Sequence, residues 1–249
     1  MNLLVDIGNS AVKLAFEQGS EIVRIARVPY EENSLVANLQ PCLAQLKVGE
    51  VRNIYISNVA GKRIAELISS WFQQNFKLTP QFATTLQKQR GLENAYITPG
   101  TLGIDRWLAM LAACDCFDGP KLVVDCGTAV TLDAINDKRE FIGGLILPGL
   151  NLMRQSLATS ADAINHAETS EFHQYFATST ETGVVAGTAF SIASLIEKMV
   201  MALNNIAEKD AVCILTGGNA QIIESYLSIP VVQEPNLVLK GLSIYFRQD

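Results

Sequence analysis

Cysteine, histidine and basic charge are all scarce in this chain of 249 residues. Its five cysteines (Cys42, Cys114, Cys116, Cys126 and Cys213) form no C-x-x-C pair. Cys114-Asp115-Cys116 lacks the second ligand pair that a zinc site needs, so the five read as buried thiols in apolar surroundings. The two histidines, His166 and His173, stand seven apart in a polar segment without a third ligand and read as surface residues. Lys and Arg number 19 against 25 Asp and Glu, a net charge of -6 that repels a polyanionic duplex and excludes nucleic acid as a partner. The longest uncharged runs, Phe141–Met153 and Thr182–Ile196, are broken by Gly, Ser or Thr and fall short of the ~20 apolar residues that span a bilayer. Met1 to Asp6 has neither the basic region nor the apolar length of a signal peptide, so a soluble cytoplasmic protein without membrane partners is expected. Also missing are G-x-x-x-x-G-K-[ST] and any G-x-G-x-x-G that opens a helix, which excludes the P-loop, Rossmann and protein-kinase nucleotide folds.

What is present is one phrase written twice: Val5-Asp6-Ile7-Gly8-Asn9-Ser10, and Val124-Asp125-Cys126-Gly127-Thr128-Ala129. Each follows an apolar β-prone run, so each aspartate is expected at a strand end before a glycine that permits a tight reversal into a hairpin. In such a turn Gly8 and Gly127 let backbone N–H groups approach an anion, Asn9 and Thr128 add polar contacts, and each aspartate can hold a cation. One copy alone is ordinary for a β-rich protein. Two copies, 119 positions apart, divide the chain into similar halves, as expected of a duplicated domain. The paired hairpins resemble those of the actin, hexokinase, acetate kinase and heat-shock chaperone superfamily, where the two phosphate loops come from equivalent hairpins of two ribonuclease H-like domains.

The pattern along the chain alternates strand and helix. The first sixteen residues read as strand, turn and strand, with a third strand at Glu21–Val28, a loose helical period over Asn33–Lys47, a buried strand at Val51–Ser57 and a helix at Arg63–Asn75. A Pro/Gly loop over Tyr96–Gly103 leads into the apolar helix around Trp107–Ala113, and Asp118-Gly119-Pro120 marks the boundary between domains of residues 1–118 and 119–249. The second half predicts strands at Leu122–Asp125, Val130–Ile135 and Phe141–Gly144, then a helix at Leu150–Leu157. Glu168–Thr180 reads as a loop with a short helix, and Glu181–Asn205 as one long helix. Gly183 and Gly187 share a face of that helix, open either to a ligand or close neighbour or to ordinary tight packing. A buried strand at Val212–Leu215 ends in Thr216-Gly217-Gly218-Asn219, whose bare backbone suits a nucleobase or ribose, or simply a turn.

Phosphoryl transfer needs donors around the phosphates, a metal to spread charge, and a group that orients or deprotonates the acceptor. The hairpins supply the first two, and Gly103-Ile104-Asp105-Arg106-Trp107 offers the third, an acid beside a guanidinium at a helix start. The alternative for Asp105 is a helix N-cap, with Arg106 a solvated charge.

Taken together the chain closely resembles the type III pantothenate kinases, almost end to end. The resemblance rests on Asp6-Ile7-Gly8-Asn9-Ser10 with Lys13, on Tyr96 with Pro99 and Gly103-Ile104-Asp105-Arg106, and on Asp125-Cys126-Gly127-Thr128 with Thr131 and Asp133. Gly143-Gly144 with Pro148-Gly149, Thr180 with Gly187, and Thr216-Gly217-Gly218 complete it. Thr98 departs from the family's asparagine before the proline. The resemblance implies an α/β fold of two ribonuclease H-like domains with mixed five-stranded sheets flanked by helices and the active site in the interdomain cleft. It implies ATP-dependent phosphorylation of pantothenate to 4′-phosphopantothenate, the first step of coenzyme A synthesis. Asp6, Ile7, Gly8, Asn9, Ser10, Ala11, Val12 and Lys13 would bind the ATP phosphates, with Asp6 on magnesium, and Thr128 would close on the phosphates from the second domain. Gly217 and Gly218 would take the adenosine, and Asp125 a monovalent cation, K+ or NH4+. Asp105 would be the general base, and Tyr96, Gly103, Ile104, Arg106 and Thr180 would line the pantothenate pocket of a homodimer, with Thr180 presented across the interface. Arg106 is assigned to the pantothenate carboxylate because a guanidinium pairs with it bidentately. The other readings are a sugar or carboxylic-acid kinase of the same superfamily, or a nucleotide-binding regulator.

Overall fold

Leu3-Leu4-Val5 lies in the middle of β1 (Asn2–Ile7), a strand buried on both faces, as its unbroken apolar run requires. The computed structural model describes residues 1–19, 21–30, 34–43, 51–160 and 171–247, and the chain divides into two units. One comprises Met1–Arg90, Tyr96–Ala112 and Leu237–Asp249, the other Gly91–Ala95 and Ala113–Asn236.

In the first unit β1 pairs antiparallel with β2 (Ala11–Gln18), and β2 with β3 (Glu21–Pro29). Helix α1 (Leu35–Leu43) follows; Asn33 and residues 44–47 of the helical period expected over Asn33–Lys47 lie outside the described residues. Strand β4 (Asn53–Asn58) then returns parallel to β1, helix α2 (Lys62–Phe76) crosses over, and β5 (Gln81–Phe82) adds parallel to β4. The order is β3-β2-β1-β4-β5. Ile64, Ile68, Phe72 and Phe76 of α2 recur every four residues and meet Leu3, Val5 and Ile7 on one face of the sheet, together with α1.

After the two-residue strands β6 (Lys88–Gln89) and β7 (Leu92–Glu93), a single 3₁₀ turn at Pro99–Thr101 leads into α3 (Ile104–Cys116). The second unit repeats the first. Strand β8 (Lys121–Cys126) pairs antiparallel with β9 (Ala129–Ile135), and β9 with β10 (Phe141–Pro148). Helices α4 (Leu150–Ser160) and α5 (Thr180–Ala207) precede β11 (Val212–Thr216), which lies parallel to β8. The short α6 (Ala220–Glu224) leads to β12 (Val232–Gln233), giving the order β10-β9-β8-β11-β12. The described part of the loop before α5, residues 171–179, holds no helix, unlike the expectation for Glu168–Thr180. There the Phe172 N–H donates to the Tyr226 hydroxyl at 2.9 Å and His173 pairs with Glu171 at 3.2 Å, so this stretch is held by contacts other than a helical ladder.

Helix α5, 28 residues long, is by length and composition apolar enough to cross a membrane, more so than its uncharged run indicated. Val185, Ala189, Ile192, Ala193, Ile196 and Leu203 are buried in the core of the second sheet, which accounts for that apolarity. The last helix, α7 (Leu237–Phe246), belongs to the first unit and packs on β1 and β4, on the face that α1 and α2 leave uncovered. Its Phe246 stacks on Tyr55 at 4.2 Å between ring centroids. Of the five cysteines, all unbridged, Cys114, Cys126 and Cys213 are buried. Cys116 is exposed at the end of α3, and Cys42 on α1 is half-buried at the margin of the first core.

Candidate active site

In the first unit Asp6 stands one residue before the end of β1, and Gly8-Asn9-Ser10 turns the chain into β2. The turn is closed by the Gly8 N–H donating to Ala11 O at 3.1 Å. The Tyr30 hydroxyl donates to Gly8 O at 2.6 Å, the Tyr30 N–H to Ser10 O at 3.3 Å, and Val59 N–H to Ile7 O at 3.0 Å. Asn9 and Ser10 are exposed on this pinned turn, as a phosphate loop requires. Neither Gly8 nor Gly127 has a positive φ; what the missing side chains provide is room beside the turn, where a Cβ would lie 3.4 Å from Ala11 O and 3.3 Å from Ala129 O respectively. Lys13 is in register with Asp6 on β2, which sets the two on the same face of the sheet.

Asp105 and Arg106 open α3, whose first turn is closed by Trp107 N–H donating to Gly103 O at 3.1 Å. Asp105 is not the N-cap; it sits inside the first turn, its Oδ1 accepting from the Arg106 N–H at 2.8 Å. Gly103 makes that possible, since a Cβ there would be 2.6 Å from the same oxygen. Burial raises the Asp105 pKa above the ordinary carboxylate value, opposed in turn by the Arg106 N–H, the Arg106 guanidinium, its own N–H and the charge of Lys13. Arg106 is not a solvated charge. It is buried, donates from Nη1 to the Tyr96 hydroxyl at 3.1 Å, and lies over the Tyr96 ring at 5.9 Å. Ile104 is buried beside it. One polar group here escaped the sequence reading: Ser57 on β4, in register with Asp6, is fully buried, and its Oγ has no hydrogen-bond partner among the described residues. Its neighbours Ile-Ser-Asn read as an ordinary strand end.

In the second unit three loops converge. Asp125 nears the end of β8, in register with Thr216 on β11 and Thr131 on β9. Gly127 N–H donates to Ala129 O at 3.1 Å, Gly149 N–H to Thr128 O at 2.9 Å, and Asn219 N–H to Cys126 O at 3.0 Å. Gly217, at φ 91°, is pressed against Asp125 Oδ1 and the Cys126 backbone, so any side chain there collides with the hairpin. Gly218 has open space instead. The two glycines therefore do different work: Gly217 seats the loop on the hairpin, and Gly218 leaves a bare surface.

Thr180 is exposed at the start of α5, whose N-cap Ser179 accepts from Thr182 N–H at 3.2 Å. It lies on an apolar groove of about 820 Å³ between α4 and α5, lined also by Leu152, Met153, Leu157 and Val184. Gly183 and Gly187 both line that groove, and nothing of the described chain comes within 4 Å of a Cβ at Gly187, so its bare face is not filled by any described helix. His173 is exposed and faces Glu171 at 3.2 Å, while His166 lies outside the described residues.

The family model of the type III pantothenate kinases matches residues 2–202. The type III pantothenate kinase of Nitrosococcus oceani is 32% identical over 248 residues, covering 98% of this chain and 92% of that one. Among solved structures, a Baf family transcriptional activator from Campylobacter jejuni superimposes with a TM-score of 0.62 at 21% identity, over 98% of this chain and 96% of the other. An inorganic polyphosphate/ATP-glucomannokinase from Arthrobacter gives 0.50 at 14% identity, over 98% of both chains. At those identities the likeness shows the fold alone. The match along most of the sequence goes further: the chain belongs to the type III pantothenate kinase family.

Proposed function

We propose that this chain transfers the γ-phosphoryl group of ATP to the primary hydroxyl of pantothenate, giving 4′-phosphopantothenate in the first step of coenzyme A synthesis, with Asp105 as the general base. The observation that carries the residue assignment is the setting of Asp105. Its carboxylate is held in the first turn of α3, within electrostatic reach of Lys13 on the phosphate hairpin, and burial keeps it readier to accept a proton than an exposed aspartate. In a loose transition state a base at hydrogen-bond distance accepts the alcohol proton late, so a strongly raised pKa is not required.

Around that base we assign the other roles. Asp6 through Lys13 bind the ATP phosphates, and the N–H groups of the pinned turn meet them. Asp6 holds magnesium; the row of Lys13, Asp6 and the orphaned Ser57 hydroxyl fits a hydrated cation. When bound, the ion spreads the charge of the β- and γ-phosphates. Thr128 contacts the phosphates from the second hairpin, Asp125 takes a monovalent cation (K+ or NH4+), and the open backbone at Gly218, seated by Gly217, receives the adenosine. Tyr96, Gly103, Ile104 and Arg106 line the pantothenate site, Arg106 bearing on its carboxylate and fixing the Tyr96 ring. The protein works as a cytoplasmic homodimer in which the apolar groove around Thr180 faces the second copy. Residues 1–118 carry the first phosphate loop and the base, and residues 119–249 the second loop, the adenosine loop and the dimer helix.

An ATP-consumption assay tests this directly. Turnover should require pantothenate and should fall on replacing K+ or NH4+ with Na+. Equal ATP consumption without pantothenate, or with a sugar in its place, would overturn the substrate assignment; indifference to the monovalent cation would remove the role given to Asp125.

A further inference from the structure

Ser57 is the one buried side-chain polar atom without a hydrogen-bond partner among the described residues. A buried hydroxyl left unpaired forfeits its hydration with nothing in return, and such groups in folded proteins call for a reason. Its surroundings are otherwise well satisfied. On the next residue, Asn58 Oδ1 accepts from Ala60 N–H at 3.0 Å and Nδ2 donates to Gly61 O at 2.9 Å. Val59 N–H donates to Ile7 O at 3.0 Å, so the chain leaving β4 is tied to the end of β1. Ser57 is therefore fixed in place while its own hydroxyl is left unused.

Its position tells what that hydroxyl is next to. Ser57 is in register with Asp6 on the parallel neighbour β1, and Asp6 with Lys13 on β2. Registered residues on adjacent strands share a face, with strands about 4.8 Å apart. The row Lys13, Asp6, Ser57 thus crosses the sheet near the ends of β1 and β4, on the face opposite Leu3, Val5 and Ile7. Parallel strands bind ligands at their carboxyl ends, and Ser57 is one residue from the end of β4.

We propose that Ser57 is a positioning residue for the metal–nucleotide site: in the loaded protein its hydroxyl donates to the Asp6 carboxylate and fixes the orientation in which that carboxylate faces the cation. The inference rests on the assignment of Asp6 to magnesium above. Residues that orient a metal-binding carboxylate typically control metal affinity by tenfold or more. In the unloaded protein the hydroxyl has no partner to lose, so its removal should not weaken the fold.

The test titrates Mn2+ into the protein saturated with a non-hydrolysable ATP analogue, by calorimetry, for the parent, Ser57→Ala, Ser57→Cys and Asp6→Asn. Ser57→Ala should weaken Mn2+ binding about tenfold, and Ser57→Cys, with a poor donor of similar size, should weaken it too. The thermal midpoint of the unloaded Ser57→Ala protein should stay level or rise. Unchanged Mn2+ affinity in Ser57→Ala beside a large loss in Asp6→Asn overturns the role of Ser57 alone. Unchanged affinity in Asp6→Asn as well overturns the assignment of Asp6 on which it rests. A lowered midpoint of unloaded Ser57→Ala with parental Mn2+ affinity would mark the hydroxyl as structural and also overturn the inference.

Discussion

Asp105, the base we propose, is held by its surroundings at some cost to the fold. Burial is the largest influence on its pKa and raises it, while the Arg106 N–H and guanidinium hold the rise in check. A carboxyl whose pKa is higher folded than unfolded binds its proton more tightly in the native state. Its contribution therefore favours the fold at low pH and is lost as pH rises through the folded pKa, so at neutral pH the ionised group is destabilising. Asp105→Asn should accordingly lower kcat by about 10²–10⁴, the usual worth of a positioned base, while raising the thermal midpoint at pH 7. In the parent enzyme kcat/KM should climb with pH across an acid limb lying above the pKa of a free aspartate, and the residual activity of Asp105→Asn should lack that limb. A variant that keeps parental kcat, or that unfolds at lower temperature, would contradict the setting described for this residue.

Between elements of the first unit, α7 comes close to α3 at Gly241. A Cβ at Gly241 would run into the Leu108 backbone, so the two helices touch main chain to main chain, and no side-chain movement can relieve the added methyl. Overpacking of this sort costs about 1–3 kcal/mol. For a chain of this length that amounts to about 2–4 °C per kcal/mol, so Gly241→Ala should lower the thermal midpoint by several degrees. An unchanged midpoint would show that the helices can part without penalty. The sequence conveyed this contact poorly, and the reason is physical. Leu237, Val238, Leu239, Gly241, Leu242, Ser243 and Ile244 are all buried, so α7 has no polar face and its sequence no helical period. The hairpins, by contrast, were legible because each needs an apolar strand, an acid and a glycine in a fixed order, and α2 because only one of its faces is buried. Site residues fell between these cases. Asp105 and Gly217 were visible as residue types, but only the fold distinguishes the glycine that must be bare, Gly217, from the one that leaves open space, Gly218. Ser57 was not visible at all, since being unpaired is a property of surroundings assembled from several strands.

Across the whole molecule, the duplication suggested by two short phrases extends to the topology: β3-β2-β1-β4-β5 and β10-β9-β8-β11-β12 follow the same order with the same parallel and antiparallel pairings. The chain nevertheless does not fall into two contiguous pieces, because α7 returns to the first unit after the second is complete. Its hold there is both apolar and polar. Ser243 donates to the buried Glu17 carboxylate, which also accepts from Asn2 at 2.8 Å, and Phe246 stacks on Tyr55. Five core side chains (Leu237, Val238, Leu239, Leu242 and Ile244) at about 1.5–3 kcal/mol each amount to about 8–15 kcal/mol, comparable with the entire stability of an ordinary domain. Removing residues 237–249 should therefore unfold the first unit, leaving Glu17 without its serine partner and the α7 face of β1 and β4 uncovered. Limited proteolysis of the truncated chain should cut within Met1–Ala112 while sparing β8 to β11, and near-ultraviolet dichroism should lose the part of the signal that comes from Tyr55. Joining residues 237–249 to the end of a Met1–Ala112 fragment through a flexible linker should restore protease resistance to that fragment. If the truncated chain resists proteolysis as well as the parent does, α7 is an accessory rather than a wall of the first core.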